Sequence, residues 1–498
     1  MNISQKPAVL SISAHDPLGM SGVAMDQRAL SVLDIHCASC ITANTAQNQF
    51  DFFRVNATSL EVFKSQLDAL HQQDIFSVMK IGFMPNLELA KCLIEHEIFQ
   101  DKAIIYDPVL AMSSEGEVSD DERLEAALLL LSKVTMLMPN FIEATALLQH
   151  WGVENCHSIS PLQMGEIFLQ KGVQHIYIKG GHSEAPTQDL YLSNERYFYL
   201  NHERFGHGMN RGTGCAMASL IAGAHALHYN FADAAVIAKM IMHQGWQQPY
   251  ALDDVTGGFN FDQIERFSVL LSKEESETSY SLPNLYREVV EQDFDFPRCE
   301  SELGLYPIVD RAIWLQRLLP LGVKIVQLRI KDLSGDALKA EIKNAVAIAE
   351  RYACQLFIND FWQLAIECGA YGVHLGQEDI DHADLRAIQD AGLRLGLSSH
   401  CFYEVARAKT IQPSYIAFGP VYATQTKAMP WIPQGAKGLS IWRKLLQNFP
   451  MVAIGGIYDE RFEHVKEMGV DSIAMVSAIT QADDPEAECE SYLSRWRQ

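Results

Sequence analysis

The feature that most constrains the fold is a repeat of eight short apolar runs in the last part of the chain. They read GLYPIVD, VKIVQLRI, CQLFIND, YGVHLG, LRLGLSS, SYIAFGPV, MVAIGG and DSIAMVS. Helix-length stretches such as SGDALKAEIKNAVAIAERYA separate them. Eight β-α units in about 200 residues predict a (β/α)8 TIM barrel, a fold that keeps its site at the C-terminal strand ends. Polar residues should then collect at those ends, and they do. Gln327, Arg329 and Lys331 alternate at the end of the second run, and Asn359 and Asp360 close the third. GQED, with Asp379, follows the fourth, and Ser398 and His400 end the fifth. Thr424, Thr426 and Lys427 lie after the sixth, Gly455 and Gly456 after the seventh, and Ser477 after the eighth.

These residue types point to a chemistry. Asp360 and Asp379 on neighbouring strand ends suit a hard cation such as Mg2+, which keeps waters and shares phosphate oxygens. Arg329, Lys331 and Lys427 would offset phosphate charge, and three cations with a metal exceed what one phosphate needs. A pyrophosphate is the better expectation. A second phosphate would sit on the Gly455–Gly456 and Ser477 backbone. Structural hydrogen-bonding roles are expected for His374 and His400.

Here the motifs VQLRIKD, FINDFWQLA, GVHLGQED, GLSSH, GPVYATQTK, VAIGGI and VSAI resemble, in order and spacing, those of thiamine-phosphate synthase. The resemblance implies condensation of a hydroxymethylpyrimidine pyrophosphate with a thiazole phosphate. By it, Asp360 and Asp379 hold Mg2+, while Arg329, Lys331, Asn359 and Lys427 hold the pyrophosphate. Gln327 and Ser398 face the pyrimidine, and Thr424, Thr426, Gly456 and Ser477 border the thiazole phosphate. An aminopyrimidine can stabilise a methylene cation, so the reaction needs charge stabilisation on the leaving group and no protein nucleophile.

The first half also alternates β-branched runs with helical patterns, the mark of an α/β fold. AVLSISAHDPLGMSGVAMD opens it with a strand and a glycine turn, and RGTGCAMASL closes it with a second glycine turn ahead of an apolar helix. Asp107, Asn140 and Lys179 fall at strand ends between them. Unpaired N–H groups at such a turn attract anions. The pattern fits a nucleotide-dependent kinase with a ribokinase-like α/β sandwich fold, in which the last glycine turn cradles the transferring phosphoryl group. No G-x-x-x-x-G-K-[ST] P-loop occurs.

This half resembles hydroxymethylpyrimidine (phosphate) kinase. The resemblance makes Asp26 and Gln47 pyrimidine contacts and Met84 a wall of the pocket. Asn140 and Glu143 join Asp107 in a Mg–nucleotide network, Lys179 reaches the ATP phosphates, and Gly212, Gly214 and Cys215 form the transfer site. Cys215, at a helix start, is expected to favour its thiolate with help from Arg211 and to accept the substrate proton. The chain departs from the family pattern at His15, at Leu18-Gly19-Met20, at Arg211 and in DDVTGGFNFDQIE. Two readings therefore stand: a bifunctional enzyme of thiamine biosynthesis, or an active synthase preceded by a non-catalytic pyrimidine-binding domain.

Composition sets the boundaries. The stretch from 266 to 300 is charged and turn-rich without β periodicity, so the expected organisation is a kinase domain over 1–265, a connector over 266–300 and a barrel over 301–498. A net charge of −23 argues against nucleic acid or an anionic membrane as partner. Small-molecule substrates and a homo-oligomer are expected instead. No apolar run reaches membrane-spanning length, the opening MNISQKPAVLSIS has no charged signal-peptide start, and the cytoplasm is the expected location. The ten cysteines are scattered, and the Cys37–Cys40 pair reads as core packing rather than zinc.

Overall fold

A computed structural model describes residues 6–48, 51–110, 121–180, 188–202, 211–252, 257–258, 260–272, 278–287, 293–299, 303–423, 435–447 and 449–498. The chain forms two compact units, Met1–Val269 with Ser279–Glu291 and Leu270–Thr278 with Gln292–Gln498.

In the first unit the strands are β1 (Ala8–His15), β2 (His36–Gln47), β3 (Phe52–Ala57), β4 (Val78–Ile81) and β5 (Ala103–Tyr106). They continue with β6 (Met136–Leu137), β7 (His175–Ile178), β8 (Asp189–Ser193) and β9 (Tyr197–Asn201). A short ladder joins β10 (Tyr250–Ala251) to β11 (Gly257–Gly258), and β12 (Asn284–Tyr286) returns to the main sheet. The sheet order is β12-β9-β8-β7-β6-β5-β4-β1-β2-β3. From β2 to β7 the neighbours are parallel, and β3, β8, β9 and β12 are antiparallel additions at the edges.

Alternation along β1 divides the two faces of this sheet. Ala8, Leu10 and Ile12 enter one core with Phe63, Leu89, Leu130, Leu147 and Phe168. Ser11 and Ser13, both buried, take the other side, where Ser11 reaches the Gly22–Val32 helix through Asp26. The Thr213–Ala226 helix packs in that same layer and is buried continuously from Cys215 to Ala224, which its all-round apolar sequence TGCAMASLIAGAHA requires.

The second unit is a closed barrel of eight parallel strands: β13 (Gly304–Val309), β14 (Ile325–Leu328), β15 (Gln355–Asn359), β16 (Gly372–Leu375), β17 (Arg394–Ser399), β18 (Tyr415–Phe418), β19 (Met451–Ile454) and β20 (Ser472–Met475). Each expected apolar run supplies one of them. Tyr306, Ile325, Phe357, Tyr415, Val452 and Ala474 fill the interior. Gly396 makes room there, since a Cβ on it would lie 2.2 Å from the Tyr415 ring.

The 266–300 stretch contributes a short helix, Phe267–Leu270, and the edge strand β12. All ten cysteines are free, with Cys40 fully buried. Among the described residues no helix is long and apolar enough to cross a membrane.

Candidate functional site

The first unit gathers its candidates at the C-terminal ends of its parallel strands, where open α/β sheets bind ligands. After β1, Asp16 organises a tight turn. Its carboxylate accepts from the Leu18 N–H at 3.0 Å, the Met20 N–H at 3.2 Å and the Ser21 hydroxyl at 2.8 Å. Gly22 has φ +58°, and a Cβ there would lie 2.1 Å from the Ala14 carbonyl oxygen. This turn meets the second glycine turn directly: a Cβ on Gly212, at φ +79°, would fall 2.0 Å from the Met20 carbonyl oxygen. Gly212 is the N-cap of the Thr213–Ala226 helix and, as a glycine, brings no side chain of its own to cap it.

Lys179, Asp107, Glu143 and Asn140 converge beside that helix start. Lys179 Nζ donates to Asp107 Oδ1 at 2.5 Å and lies 3.5 Å from Glu143 Oε2. A Cβ on Gly214 would sit 3.2 Å from Lys179 Nζ and 3.4 Å from Asp107 Oδ2, so a side chain there would press the lysine back by a few tenths of an ångström. Asn140 and Glu143 form a capping box at 2.8 and 2.9 Å, which fixes the Glu143 carboxylate at the start of the Phe141–His150 helix. Burial pushes Glu143 up to about 7; Lys179 opposes that rise and Asp107 adds to it. Burial also works against charge on Lys179, but Asp107 and Glu143 outweigh it and hold the ammonium protonated.

Two expectations change. Cys215 does not favour its thiolate: burial pushes the thiol up to about 11, and Lys80 and the Gly22 N–H only partly offset burial, Asp26 and Asp107. Desolvation outweighs the helix terminus here. Arg211 is occupied elsewhere, with Nη1 on the Asn48 carbonyl oxygen and Nε 4.0 Å from Asp16. Asp26, expected at the pyrimidine, has a side chain with no exposed surface. Its carboxylate accepts two bonds from Lys80 Nζ at 2.9 Å, one from Ser11 at 2.5 Å and one from Ser219 at 2.8 Å. Gln47 is half-buried at the end of β2, and Met84 is packed into the main core.

In the barrel, Gln327 is buried on β14 against the Tyr306 and Tyr415 hydroxyls, Arg329 is half-buried beyond it, and Lys331 is exposed. Asn359 ends β15, and Asp360 follows in the left-handed region at φ +66° with its N–H on the His374 carbonyl oxygen at 3.0 Å. Burial and the Asp379 charge raise the Asp360 pKa, while Arg329 and Asn359 restrain it. Two carboxylates that repel each other in this way, both hard oxygen donors, fit a divalent cation completed by substrate oxygens. The Asp379 loop is fastened on both sides. Asp379 Oδ2 accepts the Gly376 N–H at 3.0 Å, and Arg407 donates to the Gln377 carbonyl oxygen at 3.0 Å and to the Asp381 carboxylate.

Ser398 ends a buried hydrogen-bonded chain. Its hydroxyl pairs with His374 Nε2 at 2.9 Å, His374 Nδ1 with the Tyr415 hydroxyl at 2.8 Å, and Tyr415 with Tyr306 at 2.8 Å. Burial and the nearby Arg329 charge push His374 down to about 3, so its ring is neutral. His400 is held by Glu404 at 2.7 Å. Gly455 and Gly456 have φ of +102° and +64°, and Cβ atoms there would meet Pro420 Cα at 2.8 Å and the Ala423 carbonyl oxygen at 2.6 Å. Ser477, half-buried, begins the short helix after β20. Thr424, Thr426 and Lys427 lie outside the described residues.

Sequence reasoning missed Lys80, Ser219 and Arg407. Lys80 alone carried a signal, as a lysine inside the apolar run VMKIGFM.

Comparison with known proteins agrees with both geometries. Residues 305–479 match the family model described as thiamine monophosphate synthase, and residues 16–260 match that of phosphomethylpyrimidine kinase. The thiamine-phosphate synthase of Yersinia pestis (strain Pestoides F) is 55% identical over 189 residues, covering 38% of this chain and 88% of that protein. That of Enterobacter sp. (strain 638) is 53% identical over 190 residues, covering 38% and 90%. Among solved structures, the pyridoxal kinase of Staphylococcus aureus with ADP superposes at a TM-score of 0.47 and 24% identity, covering 53% of this chain and 97% of that one. The chain belongs to the thiamine-phosphate synthase family and joins that barrel to a phosphomethylpyrimidine kinase domain.

Proposed function

We propose that the first unit transfers the γ-phosphoryl group of ATP to hydroxymethylpyrimidine or its phosphate, and that the barrel then condenses the resulting pyrophosphate with thiazole phosphate. The observation that carries the kinase half is the Lys179–Asp107 pair packed against Gly214 at a helix start whose N-cap is a glycine. A pocket that only bound a pyrimidine would need neither a half-buried, ion-paired lysine nor paired carboxylates at that point, so the geometry favours catalysis over the non-catalytic reading. Lys179 offsets charge on the transferring group, the N–H groups at Gly212–Cys215 receive its oxygens, and Asn140, Glu143 and Asp107 form the nucleotide network. Cys215 acts as a neutral thiol that helps enclose the group, because a loose phosphoryl-transfer transition state asks little of a general base. Gln47 and Met84 border the pyrimidine.

In the barrel, Asp360 and Asp379 would hold Mg2+, which when bound stabilises charge on the departing pyrophosphate. Arg329, Lys331, Asn359 and Lys427 bind the pyrophosphate. Gln327 and Ser398 orient the pyrimidine, with Ser398 fixed by neutral His374. Thr424, Thr426, Gly456 and Ser477 take the thiazole phosphate. A cytoplasmic location and a homo-oligomeric state complete the proposal, to be read by cell fractionation and light scattering. The two half-reactions are tested separately by ATP consumption with the pyrimidine alcohol or its phosphate, and by pyrophosphate release from the pyrimidine pyrophosphate with thiazole phosphate.

A further inference from the structure

The Asp26–Lys80 pair is sealed from solvent, yet it sits beneath the transfer site. Ser11 and Lys80 are direct partners across β1 and β4, so both side chains leave the sheet on the same side. Asp26 receives them from the Gly22–Val32 helix, and Ser219 reaches the same carboxylate from the Thr213–Ala226 helix. One carboxylate thus ties two strands to two helices. Its position along those helices matters. Asp26 is four residues beyond Gly22, and Ser219 is four residues beyond Cys215, one helical turn in each case. The Asp26–Ser219 bond therefore lies one turn below Gly22 and Cys215, where the buried stretches of the two helices begin. Gly82 leaves space for the ammonium, since a Cβ there would lie 2.8 Å from Lys80 Nζ.

We propose that Asp26 and Lys80 are positioning residues for phosphoryl transfer, holding the first turns of these two helices in register so that Gly212, Gly214 and Cys215 keep their places. Neither side chain has accessible surface, so they act through Ser219 and the helix starts rather than on substrate. Charge on the pair is balanced internally. Burial disfavours the Lys80 ammonium, but Asp26 overcomes it and keeps the lysine charged. Around Cys215, Lys80 is opposed by Asp26 and Asp107, so the pair supplies alignment more than thiol activation.

The inference rests on the kinase reading, and its test separates the two. Ser219→Ala removes the tie to the Thr213–Ala226 helix and leaves the ion pair intact. It should lower kcat for pyrimidine phosphorylation about tenfold, with KM for ATP changed less than about twofold. Amide exchange in the 211–220 peptide of the full chain should quicken about fivefold, and thiamine phosphate formation from preformed pyrimidine pyrophosphate should be unaffected. The double variant Asp26→Asn/Lys80→Met leaves no net charge buried and should lose about a hundredfold in kcat. If it does not fold, Ser219→Ala decides alone. A Ser219→Ala protein that turns over and exchanges like the wild type overturns the proposal. Absence of phosphorylation by the wild type would instead overturn the kinase reading, leaving the exchange measurement to judge the register.

Discussion

Lys179 Nζ lies 2.5 Å from Asp107 Oδ1, at a spot that a Cβ on Gly214 would crowd from the helix side. On the proposed kinase reading, the ammonium stands where charge on the transferring phosphoryl group would develop. Lys179→Met should cut pyrimidine phosphorylation at least about a hundredfold, near 2.7 kcal/mol of transition-state stabilisation, while synthase turnover is unchanged. Initial rates of both half-reactions on the same preparation check this.

Glu143 gives the kinase a pH signature. Burial pushes its carboxyl from 4.5 up to about 7, so it becomes fully ionised only above neutrality. If the nucleotide network uses the ionised form, kcat/KM for ATP should rise with pH through about 7. Glu143→Gln should lower the plateau and flatten that rise. An unchanged inflection in the variant would assign it to another group.

Asp360 and Asp379 are proposed to hold Mg2+, which would offset the charge repulsion between them. Asp379→Asn should raise the Mg2+ concentration for half-maximal pyrophosphate release about tenfold or more. Calorimetric titration of the protein with Mg2+ and pyrophosphate, without turnover, should show the same loss of affinity.

His374 links barrel stability to pH. Its folded value is pushed from 6.5 down to about 3, so between those limits the unfolded chain binds the extra proton. The stabilisation is whole above 6.5 and is lost as pH falls towards 3, by at most about 1.4 kcal/mol per unit. Urea unfolding of the barrel at pH 7 and pH 5 should show the decline, and His374→Gln should reduce it.

The barrel was legible because each strand is a run of apolar residues closed by polar ones, a period that burial itself imposes. Strand β12 was not, since three residues at a sheet edge leave no period to read. Asp107, Asn140 and Lys179 came together as their strand-end positions imply, and Glu143 joins them from the first turn of the helix that Asn140 caps. Asp26 misled for a physical reason. A carboxylate near a strand end looks the same whether it faces a ligand or a lysine 54 residues away, and only three-dimensional burial distinguishes the two. Cys215 misled likewise: the helix start is visible in RGTGC, but the desolvation that keeps the thiol protonated is not.

One assay bears most directly on the claim that both activities reside in this chain. The 498-residue chain is supplied with hydroxymethylpyrimidine phosphate, ATP, Mg2+ and thiazole phosphate, and thiamine phosphate is measured. The two sites working in sequence should yield thiamine phosphate that depends on ATP and disappears with Lys179→Met or with Asp379→Asn. If thiamine phosphate forms only from preformed pyrimidine pyrophosphate, the kinase assignment is wrong.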